Sequence, residues 1–158
     1  MEWVRVRRRR EEEWWREGHG RRIVYGRRKT GKSFFVREFT QWEAYYTVRR
    51  DGMVYESGRE VSYEVLKDRI ERGEYAVVDE FHRLPEEFLD FLQHVLPDRL
   101  TLITSTRHKA EILLGKGSPI LGLFDPLLMG IISPLDILTD IQQFYSGREL
   151  IERAVYLR

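Results

Sequence analysis

The chain has 158 residues, 42% hydrophobic and 34% charged, which suits one soluble domain with a real core and a heavily charged surface. A formal net charge of +1 gives no global argument for nucleic acid or a membrane as partner, and the lack of cysteine excludes disulfides, thiolate metal sites and a cysteine nucleophile. No secretory pattern or unbroken apolar run of spanning length occurs, so the cytoplasm is the default compartment and no membrane partner is expected.

Residues 1–20 form a charged N-terminal segment. Arg7–Arg10 is followed at once by Glu11–Glu13, and the two runs are read as neutralising one another in preference to a nucleic-acid arm. Trp14 and Trp15 are expected to cover the core edge. Arg22-Ile23-Val24-Tyr25 is a short apolar run suited to a buried strand, and Phe35, Phe39 and Trp42 recur at helical spacing beyond it. Between them lies Gly26-Arg27-Arg28-Lys29-Thr30-Gly31-Lys32-Ser33, which fits the phosphate-binding pattern G-x-x-x-x-G-K-[ST] at every fixed position. Strand, glycine-bearing loop and helix are the context this pattern needs. The backbone N–H groups of such a loop converge on a phosphate, and the helix start adds its partial positive charge. Gly26 to Phe34 is therefore the expected nucleotide cradle. Lys32 is expected to reach the β- and γ-phosphates, and Ser33 to ligate Mg²⁺.

Glu43–Val48 reads as the second strand, and Asp51-Gly52 as a hairpin turn leading to Met53–Tyr55. Ser62 is placed to cap a helix that presents Tyr63, Leu66 and Ile70 and stops at Gly73. Tyr75–Val78 is then a compact apolar strand running directly into Asp79-Glu80. Two adjacent carboxylates at the end of a buried strand are costly unless a positive charge meets them. A Mg²⁺ ion carried by ATP meets that need: Asp79 would hold the metal and Glu80 would activate water. A helix with Pro85 near its start and Phe88, Leu92 and Val95 on one face follows, ending at Pro97. Leu100–Ile103 is a further strand. It exits through Thr104-Ser105-Thr106-Arg107, whose hydroxyls and arginine are well placed to sense a γ-phosphate, the alternative being an ordinary strand exit with an N-cap threonine. A helix from Lys109 to Gly115, a fifth strand over Leu128–Ile132 and a helix from Pro134 with Leu135, Leu138 and Ile141 inward complete the pattern. The sequence contains no asparagine, so the N-K-x-D element that selects guanine is absent and adenine is favoured.

The blocks VYGRRKTGKS (Val24–Ser33), VVDEFHRLP (Val77–Pro85), LITSTR (Leu102–Arg107) and GSPILGLF (Gly117–Phe124) resemble the archaeal-type P-loop ATPases of the AAA-like superfamily, close to the signal-transduction ATPases of the STAND class. The resemblance spans roughly residues 21–135. It implies a three-layer αβα fold with a mostly parallel sheet, in which a sensor strand separates the P-loop strand from the Asp-Glu strand. It also implies ATP and Mg²⁺ held by Lys32, Ser33 and Asp79, with Glu80 as general base and Thr104 or Arg107 as sensor. The aromatic-Gly-Arg-Glu element of such ATPases is reduced here to Trp14-Trp15-Arg16-Glu17, and the stretch to Arg107 is one residue longer than is common. Relatives continue into a helical lid and a winged helix. Residues 136–158 read as the truncated start of that lid; its loss implies weaker nucleotide retention and slow turnover, the alternative being a lid supplied by a partner chain or a second copy.

The expected function is that of an ATP-binding switch with slow Mg²⁺-dependent hydrolysis, partnered by ATP and ADP. A non-hydrolysing ATP-binding adaptor is the blander alternative. Asp79-Glu80-Phe81-His82 also spells D-E-x-H, the mark of nucleic-acid-stimulated motors. Such motors close ATP between two cores, however, and nothing here interleaves basic and aromatic residues along a strand-tracking groove. A small-molecule kinase is disfavoured by Glu80, since a water-activating carboxylate is a hazard where hydrolysis must be avoided.

Overall fold

The computed structural model describes residues 6–18, 20–106, 111, 115–118, 120, 122–130, 132 and 134–141. The chain divides into two compact units, Gly18–Met129 and a smaller one made from Met1–Glu17 with Gly130–Arg158.

The larger unit is built on seven strands: β1 (Arg21–Tyr25), β2 (Ala44–Val48), β3 (Val54–Glu56), β4 (Arg59–Val61), β5 (Ala76–Asp79), β6 (Leu100–Thr104) and β7 (Asp125–Leu128). Their order in the sheet is β4-β3-β2-β5-β6-β1-β7. The pairs β2–β5, β5–β6, β6–β1 and β1–β7 are parallel, and only the β2-β3-β4 meander is antiparallel. The sheet is therefore mostly parallel, and β6 separates β1 from β5 as the resemblance implies.

Alternation along the strands explains why helices cover both faces. Ile23, Tyr46, Val48, Val78, Leu100 and Leu102 share one core cluster with Leu66 and Ile70 of α3 (Tyr63–Glu71) and with Phe88 and Leu92 of α4 (Glu87–Val95). The intervening residues Val24, Tyr45, Val77 and Ile103 are also buried. On their face lies α2 (Lys32–Phe39), whose Arg37 guanidinium sits 4.7 Å from the centre of the Tyr45 ring. Strands buried on both sides are mostly apolar, and here the buried exceptions are Arg22, Asp79, Thr101 and Thr104.

Local chemistry accounts for the element ends. The Asp51-Gly52 turn is closed by Arg49 N–H to Met53 O at 2.9 Å, with Asp51 Oδ1 accepting from Met53 N. Ser62 caps α3 as expected, its hydroxyl oxygen accepting from Val65 N at 3.1 Å. Strand β4 is too short and charged to announce itself. It is made by Ser57 (φ 50°) and Gly58 (φ 80°), whose left-handed pair turns β3 back on itself. Pro85 stands two residues before α4 and follows a single 3-10 turn over Phe81–Arg83.

The fifth strand is not Leu128–Ile132 but Asp125–Leu128. Asp125-Pro126 looks like a strand breaker. Yet β7 pairs on one side only, with β1, and a sheet edge tolerates proline. The helix expected over 109–115 lies largely outside the described residues.

The smaller unit contains α1 (Arg9–Glu17) and α5 (Pro134–Ile141). Arg7 pairs with Glu12 at 2.8 Å and Arg8 with Glu11 at 3.6 Å, so the basic run is partly neutralised by the acidic run beside it. Arg9 instead engages Asp136 at 3.1 Å and Asp140, and Arg7 N–H donates to Asp140 at 2.6 Å. The expected inward face of α5 needs correction. Leu135 is 72% exposed, whereas Ile137 is buried and Leu138 half-buried; the side chain of Ile141 lies outside the described residues. Among the described residues, no helix is long and apolar enough to cross a membrane.

Candidate functional site

The registers Tyr25↔Thr104 and Asp79↔Ile103 bring the carboxyl ends of β1, β5 and β6 to one rim of the sheet, where ligands of open α/β folds bind. The P-loop leaves this rim at Gly26, whose φ is 151°. A Cβ there would lie 2.2 Å from Met129 O, since Met129 N–H bonds Tyr25 O at 2.8 Å and draws the exit of β7 against the loop. No side chain fits between them. Lys29 (φ 63°) and Gly31 (φ 89°) then turn the loop into α2, where Phe35 N–H makes a 2.9 Å bond to Gly31 O. No side chain caps this helix, and its first turn holds no acidic residue. Its leading N–H groups thus keep their partial positive charge for whatever enters the loop.

Lys32 is only 6% exposed. Its ammonium donates to Gly26 O at 3.0 Å, Arg27 O at 2.5 Å and Thr30 Oγ1 at 3.5 Å, while the Thr30 hydroxyl donates to Arg27 O at 2.9 Å. Gly26, Arg27 and Thr30 therefore shape the loop. Arg28, Lys29, Gly31, Lys32, Ser33 and Phe34 line a cleft of about 380 Å³, completed by Thr47, Asp79, Glu80, Arg83 and Ser105. Four cationic side chains face two carboxylates in it, a balance that favours a polyanion.

Strand β5 delivers Asp79 to the cleft. Its Oδ2 accepts 2.5 Å bonds from Ser33 Oγ, 46 residues away, and from Tyr45 Oη on β2. Burial, and then the charge of Asp79, push the Tyr45 phenol well above its ordinary range, so it stays protonated and serves as a fixed donor. Among the described residues no three His, Asp or Glu side chains converge as an all-protein metal site. A hydroxyl beside a carboxylate is instead the donor set that suits Mg²⁺ arriving with phosphates and waters.

Glu80 turns the chain out of the sheet in the left-handed region, with φ 61° and ψ 41°. That conformation costs a non-glycine residue roughly 1–2 kcal/mol. Glu80 N–H is held by Ile103 O at 2.8 Å. Its Oε1 accepts from Ser105 N at 3.1 Å, and its Oε2 from Ser105 Oγ at 3.0 Å and the Arg83 guanidinium at 3.2 Å. Arg83 is fixed in turn by a 2.9 Å bond to Val48 O. The carboxylate is thus clamped by the two neighbouring strand ends.

The structure does not bring every expected residue to the cleft wall. Thr104 is buried, its hydroxyl within 2.8 Å of His82 Nδ1 and 3.1 Å of Thr106 Oγ1, and the residue that lines the cleft is Ser105. Arg107 lies outside the described residues. Three participants were not foreseen: Tyr45, Arg83 and Ser105. Arg83 stands three residues after Glu80, one turn of 3-10 helix, so its reach back to Glu80 was in principle readable from spacing. Tyr45 reaches Asp79 only because β2 is the neighbour of β5, which no local pattern states.

No protein-family model and no curated protein matches the chain. Among solved structures, it is similar to the crystal structure of a signal transduction ATPase with numerous domains (STAND) carrying a tetratricopeptide-repeat sensor, from Pyrococcus horikoshii. The TM-score is 0.59 at 17% sequence identity, over 97% of this chain and 27% of the other. The chain thus spans about a quarter of the length of that protein. At such identity the likeness is one of fold: the mostly parallel α/β sheet and flanking helices described above are the architecture the two share.

Proposed function

We propose that the chain binds ATP with Mg²⁺ in the cleft between the P-loop and the end of β5, hydrolyses it slowly, and serves as a nucleotide-dependent switch. The observation that carries this reading is the 2.5 Å contact between Ser33 Oγ and Asp79 Oδ2, which joins two distant motifs inside one cationic cleft. The loop amides and Lys32 would bind the phosphates, and α2 would direct its positive end at them. Ser33 and Asp79 would hold Mg²⁺, which supplies charge neutralisation to the phosphate oxygens. Glu80 is the group placed to accept the proton of an attacking water, and Ser105 and Arg83 orient its carboxylate. In this reading residues 21–135 are the ATPase core, and Thr104 acts on the cleft through its neighbour Ser105 and through His82. The likeness to a STAND protein adds weight to a regulatory module over a metabolic enzyme.

One feature favours the second reading, a non-hydrolysing adaptor. Both oxygens of Glu80 are already engaged, so taking a proton from water would mean giving up a bond to Ser105 or to Arg83. A pair of variants decides. Lys32→Ala should abolish ATP binding in a fluorescent-nucleotide titration. Glu80→Gln should leave binding intact while cutting phosphate release about a hundredfold or more, the usual share of a general base. Equal loss of binding in both variants would contradict the assigned roles, and binding by wild type without phosphate release would select the adaptor.

A further inference from the structure

Beside the cleft, and sharing Arg83 with it, lies a shallow depression of about 450 Å³ lined by Arg49, Arg50, Asp51 and Arg83. Arg49 and Arg50 follow β2 and lead into the Asp51-Gly52 turn, and both are exposed. That turn lies close to the 3-10 helix that carries Arg83: a Cβ on Gly52 would stand 3.6 Å from Arg83 O. Three arginines from two elements therefore line one depression, together with Asp51.

The charge there is not spent internally. Among the described residues neither Arg49 nor Arg50 forms an ion pair. Asp51 turns one carboxylate oxygen to its own loop, accepting from Met53 N at 2.9 Å. Arg49 lies over the Tyr55 ring at 3.8 Å, which fixes its plane and leaves the edges of the guanidinium for a ligand. A second depression rich in arginine, at Arg37 and Arg99, differs in that Arg99 is spent on an ion pair with Glu43 at 3.5 Å.

We propose that Arg49, Arg50 and Arg83 form a second phosphate site, distinct from the P-loop, for the terminal phosphate of a small phosphorylated molecule. The chemistry selects among anions. A carboxylate offers two oxygens and is satisfied by a single guanidinium fork, whereas a phosphate monoester near neutral pH carries close to two charges and three free oxygens. Three arginines lining one depression match the latter. A phosphodiester, with one charge and two free oxygens, fits less well, which sets the site apart from a nucleic-acid backbone track. Arg83 gives the site a second consequence, which rests on the hydrolytic reading above. Its guanidinium also holds Glu80 Oε2 at 3.2 Å, so a phosphate drawing on Arg83 loosens the clamp on that carboxylate and alters the hydrolysis rate.

The test uses methyl phosphate as a monoester and dimethyl phosphate as a diester, followed by phosphorus NMR titration of the whole chain. Wild type should show two saturable classes of methyl phosphate binding. Lys32→Ala should remove the P-loop class, and the double variant Arg49→Ala/Arg50→Ala should weaken the other by about tenfold or more. Because both arginines are exposed on a turn, that variant keeps the fold, and comparison of it with wild type suffices should Lys32→Ala be unstable. Dimethyl phosphate should bind the second class at least about tenfold more weakly. Loss of all binding in Lys32→Ala with the fold intact, two classes persisting in the arginine variant, or equal binding of the diester would each overturn the proposal. In a separate assay, added methyl phosphate should change ATP hydrolysis by wild type but not by the arginine variant, whose basal rate stays the same. Binding without this response would overturn the coupling through Arg83, and absent hydrolysis in all proteins would count against the ATPase reading alone.

Discussion

Helices α2 and α3 start in opposite ways. Helix α3 closes its own end: Ser62 caps it at 3.1 Å and Glu64 places a negative charge in its first turn. Helix α2 does neither. It opens on Gly31, with no side-chain cap and no acid, and its first residue is the buried cation Lys32. A helix that satisfies its leading donors is finished as a structural part, while one that leaves them open at a cationic cleft is built to be completed by a ligand. The difference between the two termini is therefore the difference between architecture and site.

The largest way to break that contrast is to deform the loop feeding α2. Gly26→Ala places a Cβ 2.2 Å from Met129 O at a φ of 151°, and should cost roughly 3 kcal/mol of stability with loss of ATP binding, read by denaturant titration and nucleotide fluorescence. Ser62→Ala is the matched change at the other helix. It should cost about 1 kcal/mol and leave ATP affinity untouched, since the cap serves α3 alone. The smallest effect sharpens the comparison by giving α2 what α3 has. Phe34 is 51% exposed in the first turn, so Phe34→Glu should raise stability by about 0.5 kcal/mol in thermal melts. The same change should lower ATP affinity severalfold, because the added charge faces the phosphates at short range. An unchanged affinity would mean that the nucleotide does not use the start of α2.

The parts of the chain that could be read in advance are those where local chemistry suffices. Ile23–Tyr25 and Tyr75–Val78 are apolar because strands buried on both faces must be largely so, and the P-loop spacing is set by the turn itself. Asp51-Gly52 and Ser62 carry their own hydrogen-bonding instructions. What escaped depends on partners far along the chain. The expected fifth strand was misplaced because Pro126 forbids only an interior strand, and nothing local says that β7 is an edge. Helix α1 has a mostly charged sequence whose Arg9 finds Asp136 and Asp140 more than a hundred residues later. Ser105 was passed over for Thr104 because both are hydroxyls at one strand end. Only the seat of His82 against Thr104 shows which of them turns away from the cleft.

The Arg9 links to Asp136 and Asp140 fasten α1 to α5, and so bear on how the protein can be dissected. A fragment trimmed at one end only would strand half of this ladder, leaving either bare guanidinium groups or bare carboxylates exposed to whatever else is in solution. A clean excision of the sheet must cut near residues 18 and 129 together, so that both rails of the ladder are discarded at once.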